Sequence, residues 1–270
     1  MKVKVCMWIL PPMRYGRRSI NQKGDSSSRA LEAMEMLYPS SERWDRVNLG
    51  KIAQGIKQGV ALRPDAPGQE LTYGEFEIES LEECLSAATH GLKENNVDLL
   101  DIGSGTGRLV MCAALLFPEW SCCRGVEISP ALYADADARR IRAENQGLLG
   151  PGHVHFACAN VLTDMKLEFP HTNLFFIYAT AFPAPRFNEQ LRAPILNDEW
   201  TRAIRRIVST SKCKHIRIAT TDRALDPHAG FDLVNVLPNV KNRETFGSAL
   251  YIHDVLPEPS FLSSPPPHHN

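Results

Sequence analysis

The chain lacks the marks of several protein classes. Its seven cysteines include no Cys-x-x-Cys pair, so neither a zinc ribbon nor a dithiol redox site is expected. Cys122 and Cys123 are adjacent, and neighbours in a strand point to opposite faces. The cysteines therefore read as buried small hydrophobes in a reducing compartment rather than as disulfides. The histidines are scattered. His153 and His155 could share a strand face, but no acid or cysteine stands near to complete a ligand set, and no metal is expected. Net charge is −1, which gives no global field for nucleic acid or an acidic membrane. No apolar run approaches the roughly 20 residues of a membrane span. No internal repeat occurs.

What is present is a well-stocked core, 43% of the residues being hydrophobic, and one organising stretch. Val97, Leu99, Leu100 and Ile102 form an apolar run fit for a buried strand. Gly103, Gly105 and Gly107 follow, then a helical pattern over Leu109, Val110, Cys112, Ala113, Leu116 and Phe117, stopped by Pro118. A strand, a glycine turn and a helix make a ligand cradle. The spacing is Gly-x-Gly-x-Gly, not the Gly-x-Gly-x-x-Gly that seats a pyrophosphate, and no lysine follows as in a phosphate-binding loop. Instead Asp101 precedes the first glycine by two residues. A carboxylate there suits a cationic amine or sulfonium better than a phosphate. Glu127 stands twenty residues past Gly107, after Cys122-Cys123-Arg124-Gly125-Val126. That is the expected end of the next strand, where an acid can take both ribose hydroxyls.

Around this stretch the chain divides into three parts. Residues 1–68 read as a basic terminus and a small helical N-terminal lobe. The first 24 residues carry six basic side chains and no acid, which fits a flexible terminus, a contact arm or an organelle presequence. Ser26-Ser27-Ser28 caps a helix over 29–37, and 42–62 is helical but broken by Gly50, Gly55 and Gly59. Residues 69–256 form the main domain. It has a helix over 77–92, a helix capped by Ser129-Pro130 and stopped at Gly147, and strands at 153–158, 173–178 and 214–220. A helix spans 187–209, and two alternating late strands lie at 231–238 and 248–255. Asp135 and Arg139 make an i,i+4 pair on a solvated face. Residues 257–270 are a Pro-rich disordered tail. Strands alternating with helices, then a final strand pair, predict an α/β, doubly wound, Rossmann-like sheet with an antiparallel C-terminal edge hairpin.

The glycine loop with its leading acid and spaced glutamate resembles class I S-adenosylmethionine-dependent methyltransferases, whose sheet has seven strands. Tyr73-Gly74-Glu75, then a helix, then Asp101-Ile102-Gly103-Ser104-Gly105-Thr106-Gly107 with Val110, Ala113-Ala114 and Gly125-Val126-Glu127, is similar to one family among them. These are the non-SET histone lysine methyltransferases, the disruptors of telomeric silencing. The likeness spans about residues 70–182. It implies S-adenosyl-L-methionine as cofactor, with Thr72, Tyr73, Gly74 and Glu75 as a lid. Asp101, Gly103, Ser104 and Gly105, with Gly107 completing the loop, would hold the methionine part, Glu127 the ribose, and Asn160 and Val161 the adenine. It also implies a protein lysine as acceptor, on a histone or nucleosome, in the nucleus or cytoplasm, with organelle import left open. Where that family has Asn-Asn-Phe-Ala-Phe, this chain has Tyr178-Ala179-Thr180-Ala181-Phe182. The acceptor end is thus the part that differs, and a small-molecule methyltransferase or an inactive cofactor-binding scaffold stays open.

An amine must lose its proton before attack, from a free pKa of about 10.4, and an apolar channel favours the neutral form. Tyr178, Phe182 and Tyr73 are the candidate walls of that channel, the catalytic set expected here. Enzymes acting on adenine or glutamine amides carry Asn/Asp-Pro-Pro-aromatic after the fourth strand, and cytosine carbon-five enzymes need a cysteine nucleophile near that loop. Neither pattern is present.

Overall fold

The computed structural model describes residues 23–58, 75–92, 96–180, 182–240 and 248–257. Thr72, Tyr73, Gly74, Ala181, most of the basic terminus and nearly all of the Pro-rich tail lie outside the described residues.

The apolar run forms β1, Asp98–Ile102, with every residue buried. Unbroken burial is what a central parallel strand requires, since both of its faces are covered. Flanking β1 are β2 (Cys122–Glu127), β3 (Val154–Cys158) and β4 (Leu174–Ile177), followed by a small hairpin, β5 (Arg186–Asn188) and β6 (Ala193–Ile195). The sheet is completed by β7 (Arg217–Thr221), β8 (Phe231–Val240) and β9 (Ser248–Val255). Seven strands run in the order β3-β2-β1-β4-β7-β9-β8. The first five are parallel, and β9 is antiparallel to both β7 and β8. This is the expected doubly wound, Rossmann-like sheet with its antiparallel edge hairpin. The strand order reverses between β1 and β4, and in such sheets ligands sit outside the carboxyl ends at that switch point.

Alternate residues of each strand feed two cores. Leu99 of β1 and Leu174 and Phe176 of β4 join one cluster. Leu100, Ile102, Phe175 and Ile177 join the other. The first is covered by α3 (Ile78–Thr89) and α4 (Arg108–Leu116), together with α1 (Lys23–Leu37), whose Met34 and Leu37 are fully buried. The second is covered by α6 (Asp198–Ser209), which presents Trp200, Ile204, Ile207 and Val208 at helical spacing. Each fully buried Leu, Ile or Phe side chain contributes about 1.5–3 kcal/mol. Two more helices, α2 (Arg43–Gln58) and α5 (Pro130–Asn145), pack on one another.

Several elements differ from the sequence reading. Helix α1 starts at Lys23, not at residue 29; Ser27 donates its hydroxyl to Glu82 at 3.2 Å instead of capping. Helix α2 continues through Gly50 and Gly55. A glycine costs a helix only about 1 kcal/mol, and packing on α5 offsets it. The expected helix over 187–209 begins only at Asp198, because Asn188 Oδ1 accepts the N–H groups of Gln190 and Leu191 at 3.0 Å and turns the chain into the β5–β6 hairpin. Asn197 then caps α6 by accepting from Trp200 N at 3.0 Å. The Asp135–Arg139 pair forms, but not on a solvated face. Arg139 also bonds the Leu37 carbonyl and stacks 4.7 Å from the Tyr38 ring, docking α1 on α5. No described helix is long and apolar enough to cross a membrane.

Candidate functional site

The loop after β1 is shaped by its glycines and held by β2. Gly103, Gly105 and Gly107 have φ of 80°, 56° and 78°, in the left-handed region where a side chain is strained. Gly103 N and Ser104 N both donate to the Val126 carbonyl, at 2.8 and 3.1 Å. Gly105 N donates to Glu127 Oε2 at 2.8 Å, and Ser129 N donates to Glu127 Oε1 at 2.8 Å. Gly107 lies behind the loop, where a Cβ would collide with the Phe156 ring and come within 3.0 Å of Ala136. Gly125 is needed for the same reason: a Cβ there would lie 2.6 Å from Ser104 Oγ, a buried hydroxyl with no hydrogen-bond partner among the described residues.

Asp101 and Glu127 meet in one cleft at the carboxyl ends of adjacent strands. Both are buried. Burial, and secondarily the neighbouring Glu127, pushes the Asp101 carboxyl up to about 8 from 3.8. The Asp101 side chain has no hydrogen-bond donor among the described residues, so its charge lacks a partner. A cationic group in the cleft would supply one.

The cleft holds about 1220 Å³ of empty space, part of it open to solvent. One wall carries Ile128, Asn160, Val161 and Leu162. Asn160 Oδ1 accepts from Leu162 N at 2.9 Å, which fixes that side chain. Another wall is aromatic: Phe76, Phe176, Tyr178, Phe182 and Trp200. Tyr178 meets Phe76 edge-on at 5.4 Å, and Phe182 stacks on Trp200 at 4.0 Å. The segment between Tyr178 and Phe182 is tied to β7: Ala179 N donates to Thr221 Oγ1 at 2.8 Å, and Thr180 Oγ1 donates to Asp222 Oδ2 at 2.6 Å.

The N-terminal helices brace the cleft from outside, through Glu75 and the glycine loop. Arg46 of α2 grips Glu75 with two bonds, Nε to Oε1 at 2.6 Å and Nη2 to Oε2 at 3.2 Å. Arg108 Nε stands 4.0 Å from Glu75 Oε2, and Arg108 Nη1 bonds the Phe76 carbonyl. Tyr38 donates its hydroxyl to the Thr106 carbonyl at 2.8 Å. The N-terminal helices are thus bolted to the glycine loop and share its core.

Of the expected site residues, Glu75, Asp101, Gly103, Ser104, Gly105, Glu127, Asn160, Val161, Tyr178 and Phe182 line this one cleft. Gly107 stands behind it, and Thr72, Tyr73 and Gly74 are not described. Sequence reasoning missed Arg108, Ile128 and Trp200. Arg108 and Ile128 follow motif residues directly and could have been found by position. Trp200, some twenty residues downstream of Phe182 on another element, left no local signal. Elsewhere, burial pushes the Cys84 and Cys112 thiols up to about 12, in keeping with inert core residues. Burial lowers His153 and His155. Among the described residues no three ligating side chains cluster to hold a metal.

No protein-family model matches the chain, and no curated protein does. Several solved structures align with the chain. Magnesium protoporphyrin IX methyltransferase from Synechocystis PCC 6803 with bound SAM aligns over 90% of this chain and 100% of its own, at 10% identity and a TM-score of 0.48. The N-methyltransferase NodS from Bradyrhizobium japonicum aligns over 66% and 96%, at 11% identity and a TM-score of 0.46. TrmN from Thermus thermophilus aligns over 65% of this chain and 48% of its own, at 16% identity and 0.45. Identities this low say nothing of substrate.

Proposed function

We propose that this protein is an S-adenosylmethionine-dependent methyltransferase whose acceptor is a protein lysine, with a histone or nucleosome as the first substrate to try. One observation carries the cofactor: two buried acids, Asp101 and Glu127, face one cleft beside a glycine loop that has no lysine. Both would repel a phosphate. An ammonium matches Asp101, and ribose hydroxyls match the carboxylate of Glu127, which also holds Gly105 N and Ser129 N. In this reading Gly103, Ser104 and Gly105 hold the methionine part, and Asn160 and Val161 border the adenine. Thr72, Tyr73 and Gly74, continuing into Glu75, close over it.

When bound, the cofactor supplies a methyl group already activated on a sulfonium. The protein's residues align the acceptor, exclude water and keep the attacking atom unprotonated. In this reading the three acids of the described cleft are occupied, Asp101 by the ammonium, Glu127 by the loop and the ribose, and Glu75 by Arg46, so none is left as the acceptor's general base. That favours an amine, which attacks once it is neutral, over a hydroxyl or carbon that must be deprotonated in step. The aromatic wall of Tyr178, Phe182 and Trp200 disfavours the ammonium form by desolvation.

Two measurements test this. Calorimetry should show S-adenosylmethionine binding, weakened at least tenfold by Asp101→Ala. Absence of binding by the unmutated protein would sink the cofactor reading. Radiolabelled methyl transfer offered to nucleosomes, free histones and a cell lysate then identifies the acceptor. Label on a protein lysine supports the full reading, label only in metabolites replaces the lysine by a small molecule, and binding without transfer replaces the enzyme by a scaffold.

A further inference from the structure

The corner that follows β7 holds both shoulders of the turn between Tyr178 and Phe182, yet lines no part of the cleft. Asp222 is the first residue after β7 and has a φ of 57°. That left-handed backbone strains any side chain, though Asn and Asp tolerate it best. Three bonds hold Asp222 there. Its N–H donates to the Ala249 carbonyl at 2.7 Å, its Oδ1 accepts from Ala249 N at 2.8 Å, and its Oδ2 accepts from Thr180 Oγ1 at 2.6 Å. Thr221 Oγ1 lies 3.2 Å from the same Thr180 hydroxyl and accepts from Ala179 N. At the other shoulder, Arg223 Nε donates to the Phe182 carbonyl at 3.3 Å. Phe182 N donates to the Ala179 carbonyl at 2.9 Å and closes the turn. Tyr178 and Phe182 line the cleft, whereas Asp222 and Arg223 do not. A strained residue persists only where its surroundings over-determine it. Here they tie the strain to the segment that carries the aromatic wall. The corner also stands apart from the two cleft acids, since β4 separates β7 from β1 and β2.

We propose that Asp222 is a positioning residue for the methyl acceptor: through Thr180 it sets where Tyr178 and Phe182 stand, and so which acceptor the aromatic wall admits. The proposal rests on the methyltransferase reading of the cleft. It divides the labour within one sheet edge, with cofactor affinity set at β1 and β2 and acceptor recognition set from β7.

The test compares Thr180→Val, which removes the hydroxyl at nearly constant shape, with Thr180→Ser, which keeps it. Calorimetry measures S-adenosylmethionine affinity. Radiolabelled transfer at saturating S-adenosylmethionine and limiting acceptor, offered as nucleosomes, free histones and a cell lysate, measures the acceptor step. Thr180→Val should slow transfer about tenfold or more, the range for losing a bond to a charged group that orients a site. Its S-adenosylmethionine affinity should stay within about twofold of the unmutated protein, which also shows that it folds. Thr180→Ser should transfer within about threefold of the unmutated protein. Asp222→Gly, which suits the left-handed backbone, should match Thr180→Val, and the double variant should be little slower than either single one, because one bond links the two residues. Transfer undiminished in Thr180→Val, a loss of cofactor affinity in step with the rate, or Thr180→Ser as slow as Thr180→Val would each overturn the proposal alone. Hydrogen exchange on the unmutated protein needs no variant: Ala179 and Phe182 amides exchanging as fast as in an unstructured peptide would overturn it as well. Absence of any transfer by the unmutated protein would overturn it together with the methyltransferase reading.

Discussion

Gly105 donates its backbone N–H to Glu127 Oε2 at 2.8 Å, so an acid at the end of one strand sets the shape of the loop that follows its neighbour. The carboxylate's other oxygen holds Ser129 N. Glu127 is therefore a structural member of the loop before any ligand arrives. Glu127→Ala should cost stability on the order of 3 kcal/mol, from two lost charge-assisted bonds, as well as cofactor affinity. Chemical denaturation and calorimetry on the same variant would separate the two. Glu127→Gln, which keeps an acceptor, should recover part of the stability.

Asp101 makes stability depend on pH in an unusual direction. Its folded carboxyl is pushed up to about 8 from 3.8, so between those values the folded protein binds more protons than the unfolded one. Stability is then greatest at the acid end of this window for this group and falls as pH rises toward 8. Asp101→Asn should flatten the fall, measured as melting temperature against pH. A cationic ligand needs the ionised form, so cofactor binding below pH 8 should release a proton. Calorimetry in buffers of different ionisation heat would show it.

The Arg46–Glu75 pair is buried, with side chains 2% and 1% exposed. Removing one partner of such a pair costs about 3–5 kcal/mol. Arg46→Ala should lose that much in a denaturant titration, and the double variant Arg46→Met/Glu75→Leu should lose less. A double variant as unstable as the single one would mean that the pair stabilises beyond its own desolvation.

Gly107→Ala should destabilise by about 2–5 kcal/mol. The left-handed backbone contributes about 1–2 and the crowding against Phe156 and Ala136 about 1–3. Truncating Phe156 in the same chain should relieve the second part only.

Trp200 stacks on Phe182 while its indole N–H is buried without a hydrogen-bond partner among the described residues. Trp200→Phe keeps the stack and should change stability by less than about 1.5 kcal/mol. Trp200→Ala should cost about 3–5 kcal/mol. If this wall receives the methyl acceptor, Trp200→Phe raises the acceptor KM while leaving cofactor affinity unchanged.

Much of this architecture was legible in the residues themselves. The run through Ile102, the glycines at 103, 105 and 107, and the Ser129-Pro130 cap each act over a few residues, where steric and hydrogen-bonding preferences decide the outcome. The strand alternation that sends Leu99 one way and Leu100 the other is equally local. So is the placing of Asp101 and Glu127 at strand ends, which made one cleft out of two distant acids once the sheet was inferred. Helix α2 passing two glycines, the hairpin at 186–195, the Arg46–Glu75 grip and Trp200 on Phe182 needed the tertiary structure. Each depends on what lies opposite in space: a partner helix that offsets a weak propensity, an asparagine that outcompetes a helix for two amides, a buried carboxylate that must find a cation. Glu75 is 29 residues from Arg46 and the other packing partners lie on other elements, so no local pattern encodes them, while the Asn188 turn is local but competes with a helical pattern in the same residues. The sequence by itself determined the glycine cradle and its two acids. The tertiary structure decided which side chains close it, because Phe76, Tyr178, Phe182 and Trp200 come from separate elements that only the folded chain brings together.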